Sequence, residues 1–267
     1  LTLIAWEAMH KWGKDGQYQM HIFNKNNEIA GYAGVLDAMR LRGIDGNYGP
    51  RRKAVVLSFG SVSRGATRAL QSLGVIDITV FTQRSSPFVV DQIAGPEYRH
   101  MEIDTEGHLV AVQPDGQSYP FIEELATADI IVNGILQDTD NPLMFVDEDE
   151  VDRLKFGTLI VDISCDEGMG FPFARPTSFE NPMFKVHDVY YYAVDPTLTY
   201  IWNSASCEIS ISLLPFLLIV MAGPESWQQS ETIGRAIEIR SGVIQNPKIL
   251  SFQNRAAEYP HPVLEDK

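Results

Sequence analysis

The chain has 267 residues, of which 45% are hydrophobic, and a formal net charge of −14, with 21 Lys and Arg against 35 Asp and Glu. This hydrophobic content can bury one large core or two modest ones, which excludes an intrinsically disordered chain. The acidic balance argues against nucleic acid as a partner, because few cations are present to replace phosphate counterions. Two Cys residues disfavour a secreted disulfide framework, so we expect a cytoplasmic protein.

The first residues are predicted to belong to a larger unit. The segment LTLIAW reads as a strand already under way at Leu1, so we expect an N-terminal substrate-binding region that is missing or supplied by another chain. The start of the chain does not show the basic and apolar pattern of a signal peptide. The most apolar run, 213–222, is too short to span a bilayer, and we expect no membrane partner.

Helical and strand patterns then alternate along the chain. A long helix is predicted over 27–42, with Asn27 as its cap and Gly43 where it ends. The apolar run AVVLS that follows is typical of a strand buried on both faces. Further strands are predicted at 77–81, from 129, at 158–164 and at 188–194, and further helices at 66–72, 120–128, 147–154, 204–222 and 230–240.

This alternation predicts an α/β fold with a Rossmann-like doubly wound parallel sheet. We assign 27–203 to this dinucleotide-binding domain. The flanking segments are assigned to a second, substrate domain: 1–26 as a remnant of it, and 204–267 as C-terminal helices that return to it.

A turn rich in small residues connects the first buried strand to the next helix. Small residues let the backbone turn tightly and approach a pyrophosphate, while the helix N-terminus directs free N–H groups at its charge. Two serines occupy positions where the usual pattern has glycine, so an ordinary strand-to-helix turn is the alternative. The residues predicted to bind a dinucleotide here are Ser58, Gly60, Ser61, Val62, Ser63 and Arg64.

Basic residues cluster around this turn in an otherwise acidic chain. They are Arg40, Arg42, Arg51, Arg52, Lys53, Arg64, Arg68 and Arg84. At the end of the second strand, Thr82 stands where NAD enzymes place an acid for the ribose hydroxyls, and Arg84 and Ser85 follow. An acid would repel a 2′-phosphate, whereas Arg and Ser can bind it, so the pattern favours NADP(H) over NAD(H). The alternative is that Arg84 is a solvated loop charge.

Asp166 follows a later buried strand, in the segment DISCDEGMG. Ligands of open α/β sheets bind at the carboxyl ends of the strands, so an aspartate there is placed for proton transfer to a substrate. A turn-capping role is the alternative. The six His residues show no spacing typical of metal ligands, and we expect no metal site.

Segments along nearly the whole chain resemble the alanine dehydrogenase and transhydrogenase superfamily. In chain order they are LTLIAWEAM, NNEIAGYAGVLDA, VVLSFGSVSRGA, IIVNGIL, LIVDISCDEG, RPTSFENPMFKVHDVYYYAVD and NSAS. GSVSRGA, DISCD and NSAS are most similar to the carboxyethylornithine synthase branch. The resemblance implies a homo-oligomeric enzyme in which NADPH reduces the imine formed from a 2-oxo acid, such as pyruvate, and an amino acid, such as ornithine.

The resemblance also implies roles for individual residues. Asp166 matches the superfamily's acid/base aspartate. The positions that match cofactor contacts are Asn27, Ile135, Leu136, Arg175 and Asp195. Two other functions stay open at this point, an NAD(P)-dependent amino-acid dehydrogenase of the alanine type and a non-catalytic nucleotide-binding subunit.

Overall fold

The computed structural model describes residues 1–85, 87, 89–138 and 140–264. These residues form two compact units. One consists of Leu1–Asn24 with Ser206–Lys267, and the other of Lys25–Ala205. The assignment of the flanking segments to a substrate domain stays a prediction.

The described residues form seven α-helices, α1 to α7, and fourteen strands, β1 to β14. The helices are α1 Asn24–Arg42, α2 Ser61–Ser72, α3 Ile122–Leu125, α4 Trp202–Met221, α5 Pro224–Trp227, α6 Glu231–Arg235 and α7 Pro247–Phe252. The strands are β1 Leu3–Ile4, β2 His10–Trp12, β3 Tyr18–His21, β4 Lys53–Leu57, β5 Asp77–Thr82, β6 Glu97–Ile103, β7 Leu109–Val112, β8 Ser118–Pro120, β9 Ile130–Asn133, β10 Leu159–Asp162, β11 Met183–Val186, β12 Val189–Tyr192, β13 Ile237–Arg240 and β14 Val243–Ile244.

The larger unit is built on a nine-stranded sheet with the order β11-β12-β10-β9-β4-β5-β6-β7-β8. The six strands from β12 to β6 run parallel, and antiparallel strands lie at both edges. From β4 the chain winds outwards through β5 and β6, and then in the other direction through β9, β10 and β12. The predicted Rossmann-like doubly wound fold is confirmed, in a sheet that is mixed at its edges. The strand order reverses between β4 and β9, where sheets of this kind bind ligands.

Alternate side chains of the central strands feed two separate cores. On β4, Val55 and Leu57 pack into one core, while Ala54 and Val56 pack into the other. Because both faces are covered, the central strands are continuous apolar runs instead of alternating ones. These apolar runs are the pattern from which the central strands were predicted.

The elements at the sheet edges differ from the sequence prediction. The helix predicted at 120–128 is the single turn α3, and the one at 147–154 is a 3-10 helix over Glu148–Arg153. The strands β6, β7 and β8 were not predicted. The helix predicted at 230–240 ends at Arg235, and β13 follows because it pairs with β1, more than 200 residues away. Pairing partners so distant in sequence leave no local pattern to detect.

The structure also corrects two helix starts. Helix α1 begins at Asn24, so Asn27 lies within its first turn and is not its cap. Helix α2 begins at Ser61, five residues before the predicted start at 66, with Gly60 as its N-cap residue. Ser61, Val62 and Ser63 therefore belong to the first turn of the helix.

The smaller unit has a compact apolar core of its own. Its buried members are Met9, Ile22, Phe23, Ile233 and Ala236. Strands β1, β13 and β14 form a three-stranded sheet, and β2 pairs with β3. This unit thus joins the two ends of the chain.

Helix α4 is apolar and largely exposed. Ile211, Leu214, Leu218 and Met221 are exposed and recur every three or four residues, which places them along one helical face. The expectation of no membrane span considered only the run 213–222, whereas the segment Thr197–Met221 is long and apolar enough to cross a bilayer. A helix that packs against further protein has the same composition.

We predict that the smaller unit loses stability as the pH falls below about 6.5. Burial and the neighbouring His21 lower the pKa of His10, and burial lowers the pKa of His21. The unfolded chain therefore takes up protons first, so the free energy of unfolding decreases as the pH falls from 6.5 towards the folded-state pKa values.

Thermal unfolding between pH 7.5 and pH 5 measures this effect. His10→Gln should reduce the pH dependence of the smaller unit, whereas His108→Gln, which lies in the larger unit, should retain it. A pH dependence that is identical in the wild type and in His10→Gln would contradict the prediction.

Candidate functional site

The candidate site lies at the carboxyl ends of β4 and β9, on either side of the strand reversal. Ser58 directly follows β4, and its hydroxyl donates to the Gly134 carbonyl oxygen, which directly follows β9, at 3.3 Å. The hydroxyls of Ser58 and Ser63 lie 2.9 Å apart, and that of Ser63 donates to the Leu57 carbonyl oxygen at 2.9 Å. The first turn of α2 is thereby held against both strand ends.

These two serines occupy the places where the usual pattern has glycine. Ser58 adopts a φ of 72°, a left-handed conformation that favours glycine. Ser63 is fully buried, and its hydroxyl hydrogen bonds satisfy it there. The structure therefore accommodates both departures from the glycine pattern.

The start of α2 fits an anionic ligand. In α2, which is described throughout, the first turn has no acidic side chain, and the N-cap residue Gly60 provides no side-chain cap. The first N–H groups of this twelve-residue helix thus stay available, at its positive end. Gly60 is exposed, and Ser61 and Val62 are half-buried beside it. The described residues here fit the phosphates of a dinucleotide.

Arg64 has partners other than this turn. Its guanidinium donates to the Val90 and Asp91 carbonyl oxygens, at 2.7 and 2.6 Å, and stacks over the Phe59 ring. In this structure Arg64 therefore holds the loop after β5 against α2. Its predicted contact with a cofactor stays a prediction.

The residues after β5 form a short hydrogen-bonded turn. The Thr82 hydroxyl donates to the Arg84 carbonyl oxygen at 2.5 Å and accepts from the Arg84 N–H at 3.2 Å. Thr82 is buried, whereas the side chains of Arg84 and Ser85 are exposed. Because β5 is the neighbour of β4, this turn flanks the start of α2. Arg84 and Ser85 are thus available to a ligand that extends past the end of β5.

Asp166 lies four residues after the end of β10, and β10 is the other neighbour of β9. It is half-buried. Burial and the charge of Asp195 raise its pKa. The thiol of Cys165 donates to Asp195 at 3.8 Å, and burial and nearby carboxylates raise the pKa of this thiol to about 12. A carboxyl with a raised pKa beside a ligand crevice is suited to proton transfer.

The other predicted cofactor contacts lie at several places in the larger unit. Ile135 is half-buried and Leu136 is 93% exposed, both just after β9. Asp195 is exposed after β12, and the exposed Arg175 stacks its guanidinium over the Phe184 ring at 4.4 Å. Ile135 and Leu136 follow β9 and Asp195 follows β12, two parallel strands with β10 between them, whereas the Arg175 guanidinium lies over a side chain of the edge strand β11. Among the described residues, no group of three or more His, Cys, Asp and Glu side chains could hold a metal ion.

Asp162 has no role in the sequence predictions, and the structure places it in a buried polar cluster near Asp166. Asp162, at the end of β10, accepts hydrogen bonds from the Asn133 amide, the Cys165 N–H and the Tyr191 hydroxyl. The signal was present, because an ionisable residue inside an apolar strand requires buried partners. Only the tertiary structure identifies those partners.

Comparison with known proteins agrees with this geometry. Residues 51–247 match the family model "Alanine dehydrogenase/PNT, C-terminal domain". Over 190 residues the chain is 28% identical to an N(5)-(carboxyethyl)ornithine synthase of Clostridium botulinum, covering 70% of this chain and 47% of that protein. An alanine dehydrogenase of Mycolicibacterium smegmatis is 28% identical over 106 residues, which are 40% of this chain and 28% of that protein.

Solved structures show the same fold. An L-alanine dehydrogenase superposes with a TM-score of 0.71 at 18% identity, over 94% of this chain and 68% of that one. A transhydrogenase from Sinorhizobium meliloti gives a TM-score of 0.67 at 20% identity, over 91% of this chain and 68% of that one. The chain spans about half the length of the carboxyethylornithine synthases that it matches. Its sequence and fold together show that it belongs to the family of the alanine dehydrogenase/PNT C-terminal domain.

Proposed function

We propose that this domain binds NADPH and serves an oxidoreductase that acts on the CH–NH bond of amino acids. The observation that carries the proposal is the crevice between β4 and β9, where the uncapped start of α2 lies against two strand ends. When bound, NADPH would supply the hydride. The residues that would hold its phosphates are those of the turn after β4, with Arg84 and Ser85 towards the 2′-phosphate.

Asp166 is the residue that we propose for proton transfer. Its pKa is raised by burial and by Asp195, so it keeps its proton closer to neutral pH than an exposed aspartate does. Such a carboxyl can donate a proton when an imine nitrogen is reduced and accept one in the reverse direction. Ile135 and Leu136 would line the crevice on the β9 side and help to exclude water.

The proposed reaction is the reductive condensation of a pyruvate-like 2-oxo acid with the amine of an amino acid such as ornithine. The relatives named carboxyethylornithine synthase are 28% identical over 70% of this chain, whereas an alanine dehydrogenase that matches a similar share, 75%, is 23% identical. The alternative, deamination of an amino acid by an alanine-type dehydrogenase, is supported by this match of lower identity and by shorter matches. We also propose a cytoplasmic homo-oligomer that takes no nucleic acid or membrane partner.

A substrate profile separates the two reactions. The full-length enzyme that carries this domain is supplied with NADPH and pyruvate, together with either ornithine or ammonia. Faster NADPH oxidation with ornithine, and a condensed product detected by mass spectrometry, would support the synthase. Turnover with ammonia alone would instead favour the dehydrogenase.

We predict that the chain binds NADPH in preference to NADH and that Arg84→Ala removes the preference. Loss of a charged hydrogen-bond partner of the 2′-phosphate should weaken NADPH binding about tenfold to a hundredfold and leave NADH binding unchanged. Titration of each nucleotide, followed by nicotinamide fluorescence, measures both dissociation constants.

Arg68→Ala is the matched control for this experiment. Arg68 is an exposed arginine in the middle of α2, so the substitution removes the same charge away from the end of β5. A preference for NADH in the wild type, or equal losses in the two variants, would contradict the assignment of Arg84.

A further inference from the structure

The Asp162 side chain is fully buried at the centre of the larger unit. Its Oδ1 accepts from the Asn133 Nδ2 at 3.0 Å and from the Cys165 N–H at 3.1 Å. Its Oδ2 accepts from the Tyr191 hydroxyl at 2.7 Å. These donors come from β9, from the loop after β10 and from β12. One side chain thus connects three neighbouring strand ends.

The partners of Asp162 extend this connection to the loop after β9. The Asn133 side chain accepts from the Ile135 N–H at 3.1 Å, and the Asn133 carbonyl oxygen accepts from the Ile163 N–H at 2.9 Å. The Ser164 hydroxyl donates to the Ile135 carbonyl oxygen at 2.5 Å. The loop that begins at Gly134 and the loop that carries Asp166 are therefore joined through buried and half-buried hydrogen bonds.

The loop that carries Asp166 contains a strained residue next to this connection. Cys165 adopts a φ of 46°, in the left-handed region that non-glycine residues rarely occupy. Such a conformation persists only when its surroundings enforce it. The hydrogen bond from the Cys165 N–H to Asp162 is one such constraint, and Asp166 is the next residue in the chain.

We propose that Asp162 is a positioning residue. By anchoring the Cys165 backbone, it keeps Asp166 at a fixed position relative to the loop of Ile135 and Leu136. This role rests on the proposed function, which assigns Asp166 to proton transfer and the loop after β9 to cofactor binding. Asp162 itself is fully buried and enclosed by its three donors. A buried carboxylate without partners is costly, so all three donors are needed to keep it in place.

The thiol of Cys165 reports on this anchor in the chain itself. In a Cys207→Ser background, which removes the other, exposed thiol, alkylation of the buried Cys165 by iodoacetamide should be slow. Tyr191→Phe removes one hydrogen bond to Asp162 and leaves the carboxyl group itself in place, and should raise the alkylation rate about tenfold. Asp162→Asn replaces the common acceptor with an amide of the same shape and should raise the rate further. Part of that increase comes from removal of a charge that raises the pKa of the Cys165 thiol, so Tyr191→Phe is the variant that tests the anchor.

Tyr192→Phe is the matched control. Tyr192 is an equally buried tyrosine of β12 whose hydroxyl donates to Asp37 at 3.1 Å instead of to Asp162. The Tyr192→Phe variant should lose about as much stability as Tyr191→Phe, without a change in the alkylation rate of Cys165. Amide hydrogen exchange over 163–167 should rise in Tyr191→Phe and stay at the wild-type rate in Tyr192→Phe.

Two results would overturn the proposal. One is an unchanged alkylation rate in Tyr191→Phe, and the other is an equal increase in Tyr191→Phe and Tyr192→Phe. In the full-length enzyme, Tyr191→Phe should lower kcat about tenfold and keep the NADPH dissociation constant within about twofold. Faster alkylation with unchanged kcat would confirm the anchor and reject the role of Asp166 in the proposed function.

Discussion

Replacing Asp166 with Asn is expected to lower kcat by about 10² to 10⁴ and to leave nucleotide binding within about twofold of the wild type. The range is the usual contribution of a positioned general acid or base. Asn keeps the size of the side chain and removes the proton that can be transferred. Asp166 lies in the loop after β10, away from the start of α2, so binding of the phosphates should continue.

The raised pKa of Asp166 predicts the form of the pH dependence. Burial is the larger cause and the charge of Asp195 is the second. A wild-type rate that depends on protonated Asp166 should decrease as the pH rises through this raised pKa. The Asn variant should lose that dependence along with most of its rate.

Glu167→Gln is the control for this substitution. Glu167 is the next residue of the same loop and is exposed, so its replacement changes one charge at a side chain that faces solvent. Steady-state kinetics of both variants, with nucleotide titrations, separate the outcomes. If Asp166→Asn kept the wild-type kcat, Asp166 would have no part in proton transfer, and equal losses in both variants would indicate a general disturbance of the loop.

The second large effect is expected at the crossing of α1 and α2 in the larger unit. A Cβ atom at Gly65 would lie 1.8 Å from the Glu28 carbonyl oxygen, and one at Gly31 would lie 1.9 Å from that of Val62. Both contacts involve backbone atoms, so a rotamer change cannot relieve them. The two helices cross in backbone contact, and this crossing fixes the position of α2.

We predict that Gly65→Ala decreases the free energy of unfolding by about 2–4 kcal/mol. In an open helix the same change would stabilise by about 1 kcal/mol, because alanine is the better helix former. Here the methyl group must separate two packed helices, and overpacking of this kind costs about 1–3 kcal/mol or more. In a protein of this size the decrease corresponds to a fall in Tm of about 5–15 °C.

Gly60→Ala is the matched control for Gly65→Ala. Gly60 precedes the same helix, has a φ of −76° and has open space where the methyl group would lie. The free energy of unfolding of the Gly60→Ala variant should stay within about 1 kcal/mol of the wild-type value. Chemical denaturation of the three proteins measures the differences. A Gly65→Ala variant as stable as the wild type would mean that the helices can separate at little cost.

The sequence alone determined the centre of the fold and part of the site. The strands β4, β5, β9, β10 and β12 are largely apolar runs, because burial on both faces of a parallel sheet favours apolar side chains at most positions. Their alternation with helices implied the doubly wound order, and that order implied a crevice at the strand ends. The small residues after β4 and the aspartate after β10 could therefore be found without coordinates.

Only the tertiary structure decided the edges of the sheet and the polar interior of the site. The strand β13 pairs with β1 from the other end of the chain, and β6 and β8 are partly exposed near the sheet edge, so their local sequence carries little signal. The partners of Asp162 come from β9, β12 and the loop after β10, and Arg64 donates to carbonyl oxygens of the loop after β5. Hydrogen bonds between distant segments are set by packing, and a linear pattern of residue types does not encode them.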